Sequence, residues 1–201
     1  MRTAKVNGYI GKNLSSFLSC EKDAEEIIRK LFVDNAAIAD ELKRLLVINT
    51  KDCIDNRTNQ VYNEKIRKMT VNKLVEEGYV KLVPLFENGE NQEAKSCIVI
   101  TFHNFTPNSS NEYYRDCTIM IDILCDLKNW DIGNYRIRPI KIMGYIDSVL
   151  SGCRLSGIGT LQFTGAEEIT LAEDFGGYCL MYSAVHGVDD ALPVEEDDVD
   201  D

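Results

Sequence analysis

A chain of 201 residues, 44% of them hydrophobic and 27% charged, carries enough apolar mass for one sizeable core. The net charge of −11 sits mostly at the end: the last thirteen residues, DDALPVEEDDVDD, hold eight acids and no base, and the rest has 25 acids against 22 bases. That balance excludes a nucleic-acid grip built on lysine and arginine, and no run approaches the roughly 20 apolar residues of a membrane-spanning helix.

The opening segment MRTAKVNGYIGKNLSSF lacks the apolar core of a secretory signal, so synthesis in a cytoplasm is expected. Cys20, Cys53, Cys97, Cys117, Cys125, Cys153 and Cys179 form no CxxC pair, and several lie inside apolar runs. Reduced thiols serving as small buried hydrophobes are expected. With His103 and His186 the only histidines, no metal and no cofactor is expected.

Residues 1–22 are polar, with Gly8 and Gly11, and predict an arm that orders only where something holds it. Asp23 can cap AEEIIRKLFVD, in which Ile27, Ile28, Leu31 and Phe32 recur at helical spacing. A second short helix follows in NAAIADELKRLLVI, with Asn35 as its cap and Ile38, Leu42, Leu45 and Leu46 on one stripe. A polar loop is predicted over 49–64, then a weaker helix, TVNKLVEEG, stopped by Gly78.

From Tyr79 the period changes. YVKLVPLFE predicts an edge strand because Pro84 cannot donate to a ladder. CIVITFHNF and RDCTIMIDILCDL predict two more strands, the latter with Cys117, Ile119, Ile121, Ile123 and Cys125 on one face and Thr118, Met120, Asp122 and Leu124 on the other. Trp130 and Gly133 close a turn, and Asn134 can cap a helix over 135–151 that admits Pro139 in its opening turn. Its inward face is Ile142, Ile146, Val149 and Leu150, with Gly152 at the stop. Three further strands are predicted in GIGTLQF, EEITLAE and GGYCLMYSAVHG. This order, helices then strands then one long helix then strands, predicts an α+β fold: an antiparallel or mixed sheet with helices on one face. One domain over 23–188 would then carry a disordered acidic tail over 189–201.

Signs of chemistry are sparse. Gly152, Gly157, Gly159 and Gly165 follow a helix rather than a strand and meet no Gly-Lys pair, so they predict a turn and not a phosphate loop. His103 could be drawn with Asp122 and Asp126 as an acid–base group, but these residues fall on different elements and no nucleophile is flagged; His186, near the chain end, offers no more. No catalytic residue is therefore assigned, and the chain is not expected to be an enzyme. RIRPIK is the one basic cluster, at a helix start where cations oppose the dipole. Arg136, Arg138 and Lys141, with the lone Trp130, are accordingly candidates for a subunit interface, paired with acids of a neighbouring copy.

Between residues 116 and 187, the strand DCTIMIDILCDLKNW, the helix NYRIRPIKIMGYIDSVLSG, then GTLQF and GGYCLMYSAVHG resemble tail-terminator and tail-completion proteins of tailed bacteriophages. LLVINTKDCID in the first half is similar in style to neck or ring proteins of crAss-like phages. Pro139 and the acidic tail depart from that pattern. The resemblance implies a virion subunit of a closed head–tail connector ring, in contact with identical subunits and with portal or other neck and tail proteins. DNA would pass its lumen without specific binding. Two rival readings are an adaptor or inhibitor that binds a basic partner through the acidic tail, and a hydrolase.

Overall fold

The computed structural model describes residues 4–6, 9–11, 17, 20–83, 95–110, 114–155, 159–172 and 174–186. Pro84 and the acidic segment 189–201 lie outside the described residues. At the N-terminus β1 (Ala4–Val6) pairs antiparallel with β2 (Tyr9–Gly11). The first helix, α1 (Cys20–Arg29), starts three residues before the predicted cap and continues as a wider π segment, Lys30–Asp34. Asp23 does not cap it; its side chain sits within the helix and is buried. Asn35 caps α2 (Ala36–Val47) as predicted, accepting from Ile38 N at 3.2 Å.

The predicted loop over 49–64 is shorter than expected, because α3 (Gln60–Lys68) begins inside it with Asn59 accepting from Val61 N and Tyr62 N. Thr70 caps α4 (Val71–Glu76), and Gly78 ends it at a φ of +77°, where a side chain would be strained. The edge strand shrinks to β3 (Val80–Lys81). Then come β4 (Cys97–Pro107), whose first four residues are buried without a break, and β5 (Arg115–Asp126), which keeps the predicted alternation along most of its length.

The long helix, α5 (Arg138–Leu150), starts three residues later than predicted. Asn134 does not cap it: Gly133, Asn134 and Tyr135 all take positive φ and form a separate turn ahead of the helix. Ile142, Ile146 and Leu150 face inward with no exposure, and Val149 is half-buried. After the short pair β6 (Arg154–Leu155) and β7 (Gly159–Thr160), two of the three predicted strands prove to be one, β8 (Gln162–Ala172), which bulges near Gly165. The last strand is β9 (Phe175–His186).

The five-stranded sheet runs β3-β4-β5-β9-β8; β3 lies parallel to β4 and every other pairing is antiparallel. The fold is therefore α+β with a mixed sheet. Helix α5 rests on β5 and β9, and α2 and the π segment pack on α5. Inward residues of β4, β5 and β9 join those of the helices in one core. Tyr182 donates its hydroxyl to Asp147 at 3.0 Å, tying β9 to α5. Because Ile146 is fully enclosed, Ile146→Ala should cost about 2–4 kcal/mol through lost transfer energy and the cavity left behind. Denaturant titration of the two proteins measures it. Among the described residues no helix is long and apolar enough to cross a membrane.

Candidate functional site

Two features remain once the core is accounted for, one on the surface and one buried.

The surface feature is the turn before α5. Arg136 N–H bonds the Gly133 carbonyl at 3.0 Å, which places Asn134 and Tyr135 at the two central positions, at φ of +52° and +58°. Such turns favour glycine at the second central position, since a Cβ there crowds the backbone. Here that position holds a tyrosine whose side chain is fully exposed. The turn is clamped from beneath. Arg136 Nη1 bonds Asp55 Oδ1 at 2.9 Å, its Nη2 reaches Asp55 Oδ2, and Asp131 pairs with Lys51 at 2.8 Å. The Arg136 hydrogen bond holds the Asp55 carboxyl below its ordinary range, and Lys51 does the same for Asp131. Beside Tyr135, the exposed Ile137 and Ile140 join Ile38, Gly144 and Tyr145 in a shallow groove that also includes Arg136 and Lys141.

The four sequence-predicted interface residues fare differently. Arg138 is wholly buried. Its Nη1 donates to the carbonyls of Leu45 (2.5 Å) and Ile48 (2.9 Å), its Nη2 to Thr50 (2.8 Å) and its Nε to Asn129 (2.7 Å). Such a residue cannot reach another subunit. The helix dipole it opposes in α5 is matched by the α2 C-terminus, whose carbonyls it closes. Arg136 is spent on Asp55, and Trp130 is half-buried, donating to the Cys125 carbonyl at 3.3 Å with its ring 6.2 Å from Tyr178. Only Lys141 stands exposed as expected. Reversing Arg136 and Arg138 together would thus unfold the chain rather than isolate an interface.

The buried feature joins the two ends of the fold. Cys20 and Asp23 are one turn apart on α1 and point to the same side. On β9 the inward phase Leu180, Tyr182, Ala184 continues to His186, which is fully buried beneath the start of α1. His186 Nε2 lies 3.9 Å from Cys20 Sγ, and its Nδ1 lies 2.9 Å from Asp23 Oδ2. A bulge in β4 with Asn104 at positive φ shifts the strand register and brings the Phe105 ring 5.7 Å from the imidazole. Phe105 meets Phe17, and Arg115 stacks its guanidinium 4.3 Å over the Phe17 ring.

Potential ligand atoms of Cys20, Asp23 and His186 lie within 4.8 Å of one another. The two ring nitrogens face different partners, Nε2 toward Cys20 and Nδ1 toward Asp23, so the three groups lie in line through the ring. Nothing in the sequence reading found this cluster. The signal available was Cys20 and Asp23 at i, i+3 ahead of an apolar stripe, with His186 in the inward phase of the last strand. The His103 group, by contrast, does not assemble. His103 is exposed and bonds Thr101 Oγ1 at 2.9 Å; Asp122 pairs in register with Val99, about 13 Å away along the strand.

No curated protein matches the chain. Residues 39–184, well over half of its length, match YomW, and the chain belongs to the YomW family, a phage-associated family.

Proposed function

We propose that this protein is a structural subunit of a phage particle, a neck or tail-terminator ring at the head–tail connector, and that it assembles through the face of Tyr135, Ile137 and Ile140. The observation that carries this reading is Tyr135, fully exposed on left-handed backbone and flanked by two exposed isoleucines. A residue kept in an unfavourable conformation without packing gain inside its own chain points to a use outside it. Exposed aromatic and branched aliphatic groups beside a groove have the make-up of an interface centre. A ring needs heterologous contacts that close by rotation, and a second copy presenting a different surface to this face would supply them. With 25 acids against 22 bases outside its final thirteen residues, the chain would let DNA pass its lumen without gripping phosphate. Portal or other neck proteins would be its neighbours, in a particle built in a bacterial cytoplasm.

Tyr135→Gly tests the face without harming the fold. Glycine suits the turn, so the variant should be more stable than the parent, by about 1 kcal/mol. It should also self-associate less, as should Ile140→Asp. Sedimentation velocity with circular dichroism as the folding control reads both effects. If both variants associate as strongly as the parent, the face is misassigned.

A further inference from the structure

Cys20, His186 and Asp23 are not used by the assembly reading, and they lie outside the residues matched to the family. Their order in space is thiol, imidazole, carboxylate, at 3.9 Å and 2.9 Å. Asp23 Oδ2 lies 2.9 Å from Nδ1, a close electrostatic contact that is not aligned as a hydrogen bond, and Nε2 is the ring nitrogen on the Cys20 side. The imidazole is fixed from three sides: by the β9 backbone, by the Asp23 carboxylate and by the edge of Phe105. Asp23 lies in the first turn of α1 and Cys20 is that helix's first residue. A buried histidine and a buried aspartate alone would make a structural tie. The third member, Cys20, is partly exposed as a residue.

From this geometry we propose that Cys20 is a nucleophile toward acyl compounds, with His186 as its general base and Asp23 as the residue that positions the ring. In the first step the thiol proton passes to Nε2, Sγ attacks the acyl carbon, and an S–C bond forms. The bond from carbon to the leaving group breaks, and that group departs with the proton from Nε2, leaving a thioester on Cys20. Water, deprotonated by Nε2, then attacks the thioester, releases the carboxylic acid and returns the proton to sulfur. No oxidant, reductant or metal enters the balance. The substrate class is an activated ester or thioester small enough to reach a half-covered Cys20. Arg115 Nη1 is buried with no hydrogen-bond acceptor among the described residues; its backbone partner across the ladder is His186.

The chain contains its own reference. Cys20 and Cys153 are the two cysteines that are not buried. Of the others, burial pushes the thiols of Cys117, Cys125 and Cys179 up to about 12 and that of Cys97 to about 11, so they stay protonated and silent. The full chain is mixed with p-nitrophenyl acetate at neutral pH, release of p-nitrophenolate is followed, and acetylated peptides are located by mass spectrometry. Cys20 should be acetylated at least about tenfold faster than Cys153, with a release burst that is lost in Cys20→Ser. Asp23→Asn and His186→Gln should each slow Cys20 by at least about tenfold while leaving Cys153 unchanged. Equal rates at the two cysteines of the parent would overturn the proposal. So would a fast Cys20 that keeps its rate in a folded His186→Gln variant, because a helix start alone would then explain it. Should neither buried variant fold, the ratio of the two rates in the parent decides.

Discussion

Arg138→Ala is expected to lose at least about 4 kcal/mol, since it strips donors from four buried or half-buried carbonyls and each orphaned acceptor costs about 1–3 kcal/mol. Those acceptors belong to Leu45, Ile48, Thr50 and Asn129, so one guanidinium joins the end of α2, the loop that leaves it and the turn after β5 to the first turn of α5. Lysine cannot replace it. A point charge on a flexible stem keeps the cation but lacks the planar fork that reaches four oxygens at once. Arg138→Lys should therefore fall between parent and alanine, and Arg138→Glu, which sets a carboxylate against carbonyl oxygens, should not fold. Denaturant titration followed by circular dichroism ranks the series. An alanine variant that melts within a few degrees of the parent would show that water takes over these carbonyls.

Gly177→Ala should be as damaging, for the opposite reason. Gly177 sits on β9 opposite Leu124 of β5, and a Cβ built on it overlaps the Ile123 carbonyl oxygen and lies 2.8 Å from its carbon. Both atoms are backbone in the middle of the sheet, so no rotamer change relieves the overlap; the two strands must separate. Overpacking in a core costs about 1–3 kcal/mol when side chains can shift, and here they cannot. No folded protein is expected from this variant. At Gly176 the added Cβ is 2.8 Å from the Ile169 oxygen on β8, an edge strand that can give way. Gly176→Ala should accordingly fold with reduced stability, and a soluble, cooperative Gly177→Ala would contradict the strand spacing described here.

What could be anticipated from sequence follows the physics of each element. The alternation in RDCTIMIDILCDL is legible because a strand with one face in the core and the other half-covered keeps a period of two, and Ile142, Ile146 and Leu150 are legible because one helical face meets the sheet. Helix α3 was hidden because a helix lying on the rim buries only Ile66 and so shows almost no stripe. The start of α5 is not legible from Asn134, because asparagine suits both helix caps and left-handed turns and here takes the turn. Gly165 looked like a break between two strands, whereas β8 runs through it with a bulge.

The candidate sites were less legible still. Arg138 carries the charge of a surface residue, and its partners are main-chain carbonyls, which no pattern of side chains announces. Arg136 finds Asp55 across 81 residues, and Cys20 meets His186 across 166, a proximity that exists only once β9 lies under α1. Tyr135 was in plain sight, but its meaning depends on the sign of φ, which the sequence does not print.

The central claim is that this YomW-family chain is built to assemble through the Tyr135 face. Its most direct test is the solution mass of the purified parent by light scattering across a concentration series, beside Tyr135→Gly. The parent should rise to a fixed multiple of 22.7 kDa while the better-folded glycine variant stays at lower mass. A parent that remains at the mass of one chain throughout, or a variant that climbs with it, would contradict the account.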